Sequence, residues 1–233
     1  MERSFNISGE GPSRKIQLIE VVVFLLLILP SMLLSSAVAE PENLTFLLVA
    51  GSTMLSDIPL LCLVVYFLWR NEEPFQAIGL TLRSWWKEAI LGVVLFVPLA
   101  LGMGLVGRLI REAGFPLPQK TPSFLVPSGS DQITIALLFL LVVAVSEEVI
   151  FRGYLIRRFT AVTGNPVIAL LLSSAVFATG HGYERSGGAI GVGILGLIFG
   201  IVYLWRKSLI APMVMHFIQD FIGIILIPFH LLS

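Results

Sequence analysis

The chain has 233 residues, 56% hydrophobic and 13% charged, with a formal net charge of zero. Soluble domains carry about 25% charged residues, so an ordinary soluble domain is excluded, and no basic excess exists to engage nucleic acid. One cysteine, Cys62, excludes an intrachain disulfide and, lying in an apolar run, reads as a small buried core residue.

Taken in order, Met1–Lys15 is a polar lead and Ile16–Ala39 a first hydrophobic segment containing Pro30. Its end, Ala37–Val38–Ala39, has the small-residue form of a signal-cleavage site, but the further spanning set that follows favours retention. The second segment, Leu44–Trp69, contains Asp57 just before Pro59. Asp57 is either an intramembrane acid facing a site or, the reading preferred here, part of a cap for a helix restarting near Ile58. Glu72–Lys87 mixes aromatics with Arg83 and Lys87, as a stretch at headgroup level does. A third segment, Trp86–Leu109, carries Gly92, Gly102, Gly104 and Gly107, small residues that allow close helix approach in lipid. Arg111–Asp131 follows, with four prolines and two glycines, a long loop placed to cover a site. The remaining segments are Ile133–Ile156, Pro166–His181 with Asn165 as its start, glycine-rich Gly188–Trp205, and Leu209–Phe229.

The expected fold is therefore all-α, a polytopic transmembrane helical bundle of about seven membrane segments. Residues 1–132 (lead and three segments) and 133–233 (motif-bearing core) form one integrated membrane domain. With the N-terminus cytoplasmic, ten Lys and Arg fall inside and four outside, and Arg152 is intramembrane. That distribution favours an N-in integral membrane protein, in the plasma membrane if the source is bacterial. No repeat relates the halves, which argues against an inverted-repeat transporter.

The fourth segment holds Glu147, Glu148 and Arg152 among apolar residues. One mid-membrane charge costs roughly 2.5–3.5 kcal/mol, so three must face protein or water. Glu148 and Arg152 are i and i+4 and can pair. Glu147 lies about 100° around the helix, leaving it for chemistry. Phe177 and His181 share a face on segment five, as do His216 and Asp220 on segment seven. His230 reads as a residue without a role, and Ser146 is set aside as a nucleophile. Measured along each helix, Glu147 lies roughly 15 Å from an inner boundary near Arg157, His216 roughly 11 Å from Leu209, and His181 roughly 22 Å from Pro166. The last value disagrees unless segment five starts within the bilayer or tilts.

The series Glu147–Glu148–x–x–x–Arg152, Phe177–x–x–x–His181 and His216–x–x–x–Asp220 resembles the motifs of the CPBP family, the CAAX-processing and bacteriocin-processing intramembrane endopeptidases. The resemblance covers about residues 138–221. It implies Glu147 as the base that activates water, Glu148 and Arg152 as an orienting pair, and His181 as a holder of that water. It implies His216 as the oxyanion partner, assisted by the residue four later, and Phe177 as part of the substrate-binding surface. Many family members carry Asn where this chain has Asp220, and Asp donates a hydrogen bond only when protonated, so Asp220 is expected to orient His216.

The implied activity is endopeptidase cleavage of a membrane-associated peptide or protein by a glutamate-dependent enzyme. No cofactor is assigned. His181, His216 and one carboxylate make zinc the open alternative, although no His-Glu-x-x-His is present. The rival readings are a proton-coupled transporter or channel using the same residues as a relay, and a non-catalytic immunity or scaffold protein of this fold.

Overall fold

The computed structural model describes residues 12–37, 44–118 and 120–228. Most of the polar lead, the second half of the cleavage-like Ala37–Val38–Ala39, and His230 lie outside the described residues. Among those described there are seven helices and no strand: α1 (Arg14–Ala37), α2 (Phe46–Arg70), α3 (Trp85–Glu112), α4 (Ser130–Thr163), α5 (Pro166–Thr179), α6 (Arg185–Arg206) and α7 (Ile210–Leu226). Five are long and apolar enough to cross a membrane; α5 and α7 are shorter. At 1.5 Å per residue α5 spans roughly 21 Å, less than the roughly 30 Å hydrocarbon core. Both short helices are packed inside the bundle, α5 against α4 and α6, and α7 against α3 and α4. The protein is an integral membrane protein, with large outward apolar residues such as Leu55 and Leu101, each 75% exposed, presented to lipid.

Local chemistry sets the ends. Thr45 Oγ1 accepts from the Leu48 N–H at 3.3 Å at the start of α2. Asn165 Oδ1 accepts from the N–H groups of Val167 (2.8 Å) and Ile168 (3.3 Å), and Pro166 occupies the first helical position. Gly164, with φ +74°, ends α4, so a two-residue turn joins α4 to α5. Asp57 sits within the unbroken α2, so no helix restarts at Ile58: a single proline removes one backbone bond, and the surrounding turns carry the helix through.

Helix α4 runs on to Thr163, and Pro166 therefore lies well beyond the level of Arg157. Measured from the α4–α5 turn, Glu147 is roughly 24 Å and His181 roughly 22 Å along antiparallel helices. The discrepancy in depth disappears. Ser173 Oγ donating to the Phe151 carbonyl at 2.7 Å fixes this register.

Glycine works at only some of the expected places. A Cβ on Gly92 would stand 2.7 Å from the Ala211 carbonyl oxygen, so α3 and α7 meet there, whereas Gly102 and Gly104 have no such neighbour. Gly193, Gly196 and Gly200 bring α6 against Ala178, Ser174 and Leu170 of α5. Cys62 is exposed rather than buried. Much of the outward face of α2 is turned to lipid, and only Phe46, Ala50, Val64, Phe67 and Leu68 are buried on that helix.

The connector after α2 is tied to the protein interior. Ile78 is buried, and the Gly79 carbonyl accepts from the Leu209 N–H at 3.0 Å, while Trp85 and Trp86 stay exposed. Beside it lies a buried charged cluster. Glu20 of α1 accepts from Arg70 (3.0 Å), Asn71 (2.7 Å) and the Tyr154 hydroxyl (3.2 Å), and pairs with Arg158 (2.9 Å). Glu73 pairs with Arg157 at 2.6 Å and with Arg158. Burial works against the charge on Glu73, but the hydrogen bonds and charges of Arg158 and Arg157 outweigh it and hold the carboxyl below its usual range. This cluster ties α1, the end of α2 and α4 together.

Candidate active site

Over Glu148–Leu155 the backbone of α4 is π-helical, and so is α7 over Phe221–Leu226, directly after Asp220. Such widened turns concentrate at functional sites, and here they lie beside or within both carboxylate-bearing motifs. Glu148 is fully buried, and its Oε1 accepts from Arg152 Nη1 at 2.9 Å. The Arg152 guanidinium lies 4.2 Å from the Phe177 ring centre and 5.3 Å from that of Phe199, in cation–π range.

His216 joins α7 to this pair. Its Nδ1 lies 2.9 Å from the same Glu148 Oε1. An ionised carboxylate only accepts, so Nδ1 carries the hydrogen and Nε2 is turned towards the remaining acids. Nε2 stands 3.3 Å from Asp220 Oδ2 and 3.6 Å from Glu147 Oε2. Glu148 thus holds one nitrogen of the ring while Asp220 and Glu147 face the other. Glu147 Oε2 is buried with no hydrogen-bond partner among the described residues.

His181 lies in the turn just after α5, with Nδ1 3.1 Å from the Phe177 carbonyl oxygen and its ring 4.9 Å from the Phe177 ring. Glu147, Phe177, His181, His216 and Asp220 all line one cavity of about 1370 Å³. Glu148 and Arg152 stand behind its wall. Ser146 is fully buried and does not line it. Three residues that the sequence reading left aside also reach this cavity: Asp57 of α2, and Tyr183 and Glu184 after His181. Asp57 was visible as an acid in an apolar run; Glu184 had no signal beyond its closeness to His181.

The loop after α3 lies over the cavity, contributing Pro118 and residues 120–128 to its lining. Thr121 Oγ1 donates to the Gly223 carbonyl at 2.8 Å, Gly187 N–H donates to the Pro116 carbonyl at 3.0 Å, and Phe124 meets Tyr183 edge-on. A Cβ on Gly187 would stand 2.4 Å from that carbonyl oxygen, so glycine is what lets the loop sit so close.

Among the described residues no three His, Cys, Asp or Glu side chains form a group that could hold a metal ion, while the Nδ1 contacts of His181 with the Phe177 carbonyl and of His216 with Glu148 leave the Nε2 atoms facing the cavity.

With this geometry in place, comparison with known proteins is specific. Residues 129–222 match the Rce1-like family of type II CAAX prenyl endopeptidases. The resemblance carried by the three motifs holds over this Rce1-like segment. The chain is 26% identical over 152 residues to the protein YyaK of Bacillus subtilis, covering 64% of this chain and 48% of that one. It is 31% identical over 80 residues to the membrane-embedded CAAX protease MroQ of Staphylococcus aureus, covering 32% of this chain and 31% of MroQ. The chain thus spans about half or less of the length of these relatives. No solved structure gives a significant match.

Proposed function

We propose that the protein is an intramembrane endopeptidase that hydrolyses a peptide bond in a membrane-associated peptide or protein, with Glu147 activating water. The observation that carries this reading is the Glu147 carboxylate, whose Oε2 is buried with no hydrogen-bond partner among the described residues and lies 3.6 Å from a histidine fixed from behind. The Rce1-like segment and the similarity to MroQ support the reaction class.

Water placed in the cavity gives its proton to Glu147 as its oxygen attacks the scissile carbonyl. The carbonyl electron pair moves to the oxygen, where His216, as an imidazolium among the carboxylates of Glu147, Glu148 and Asp220 with a hydrogen on each ring nitrogen, donates through Nε2–H. Glu148 keeps Nδ1–H engaged and so fixes which nitrogen points outward; Arg152 holds Glu148 in place. When the C–N bond breaks, its electron pair stays on nitrogen, which takes the proton from Glu147. His181 borders the same space and positions the water, with Phe177 as the apolar surface beneath the substrate. Asp220 shares the Nε2 hydrogen in the resting site and yields it to the oxyanion. No step is routed through a metal. General-base catalysis contributes about 10²–10⁴-fold, and an oxyanion donor about 10²–10³-fold.

We further propose a cytoplasmic N-terminus, a reading supported by the excess of Lys and Arg on the side it shares with Arg70, Arg157, Arg158 and Arg206. Cleavage of lipid-embedded peptides by wild type and by Glu147→Gln tests the function. Loss in the variant supports it; proton-gradient-dependent transport into vesicles, with no cleavage of any peptide, would favour a transporter.

A further inference from the structure

Ser52 and Ser56 show how α2 satisfies its polar side chains: their hydroxyls donate to the carbonyls of Val49 (3.0 Å) and Ser52 (2.9 Å), on their own helix. Asp57 does not follow this pattern. Its Oδ2 is buried and has no hydrogen-bond partner among the described residues, in the middle of a helix that packs along α4. Elsewhere, Glu20, Glu73 and Glu148 are each buried against an arginine. Asp57 instead lines the cavity that Glu147 lines. A carboxylate oxygen held out of water and given no donor is an acceptor awaiting one.

From this we infer that Asp57 is a further catalytic-site residue, accepting a hydrogen bond from the N–H of the scissile amide as the substrate lies in this cavity. The inference rests on the proposed peptidase reading and assigns the α2 wall of the same site. The donor it needs is one that every peptide substrate brings. On attack by water the amide nitrogen loses its conjugation with the carbonyl, and on taking the proton from Glu147 it becomes an amine leaving group. A hydrogen bond from that N–H to a carboxyl oxygen strengthens as positive charge develops on nitrogen, so the interaction is larger in the transition state than in the bound substrate. No proton is transferred to Asp57; the proton that reaches nitrogen is the one Glu147 took from water. The wall opposite Glu147 thereby orients the leaving group while His216 faces the oxyanion.

The test is a pair of substrates, a membrane peptide and the depsipeptide in which the scissile amide is an ester and so has no N–H. Asp57→Asn, nearly isosteric, and Asp57→Glu, which keeps the charge, are compared with wild type, with folding checked by thermal melting in detergent. Asp57→Asn is expected to lower kcat for the peptide about tenfold to a hundredfold while changing ester cleavage by less than about threefold, with partial recovery in Asp57→Glu. Equal loss on both substrates would make Asp57 a packing residue, and no loss on either would remove it from the site; both outcomes overturn the inference. Glu147→Gln serves as the internal control. If it loses both substrates while Asp57→Asn loses neither, the peptidase reading stands and this inference alone fails. Unchanged cleavage by Glu147→Gln, or none by wild type, removes the reading and the inference together.

Discussion

Two groups of buried charge lie along α4, and they are built in opposite ways. At one end, Glu20, Glu73, Arg157 and Arg158 form a cluster in which each acid meets at least two basic or hydrogen-bonding partners. Further along the helix, the cavity gathers Asp57, Glu147 and Asp220 with His216 as the nearest cation-forming group, and two of these acids keep an oxygen with no hydrogen-bond partner. Burying charge costs free energy in both places, and only the first returns it as paired contacts. The first group holds helices together. The second is held by them, and its unsatisfied oxygens are what a substrate and a water can use. Glu148 and Arg152 mark the border: paired like the first group, they serve the second by fixing His216.

The sharpest way to break this division is at the border. Arg152→Ala leaves Glu148 buried without its cation, and is expected to destabilise by about 3–5 kcal/mol and also abolish cleavage. Thermal melting in detergent and the peptide assay check both effects, and a stable, active variant would erase the distinction. Arg158→Ala takes one partner each from Glu20, which keeps Arg70, and Glu73, which keeps Arg157. A smaller loss of stability, about 1–3 kcal/mol, is expected, with normal kcat per folded molecule, read from active-site-normalised rates.

The first group also predicts a pH dependence. Because its partners depress the Glu73 carboxyl in the folded protein, the stabilisation is complete above the ordinary value of 4.5 and is lost as pH falls through the lower folded value. The melting temperature should drop on acidification in that window, and Glu73→Gln should flatten that part of the slope. The smallest effect is expected at the loop. Thr121→Val removes one hydrogen bond to the Gly223 carbonyl, worth about 1 kcal/mol, and should change KM more than stability.

Seven helices and three motifs were legible because hydropathy and i, i+4 spacing survive in any single sequence. The level of His181 relative to Glu147 could not be read from segment lengths, because Arg157 pairs with Glu73 while the helix continues to Thr163. The orientation of His216 through Glu148 was out of reach, since it joins residues 68 positions apart across two helices with π-helical turns. Spacing rules assume regular α-helix and are silent on such turns. Asp57 was visible as an anomaly, but Pro59 beside it invited a capping explanation that the unbroken α2 removes. Cys62 failed because a membrane helix turns apolar residues outward as readily as inward.

The central claim is that the unpartnered carboxylate of Glu147 does the chemistry. Its most direct test is cleavage of a lipid-embedded peptide library by purified wild type and Glu147→Gln, each with and without a chelator. The account predicts that Glu147→Gln melts like wild type yet cleaves about 10²–10⁴-fold more slowly, and that chelation leaves the wild-type rate unchanged. Equal cleavage by the two proteins, or a wild-type rate abolished by chelation and restored by zinc, would contradict it.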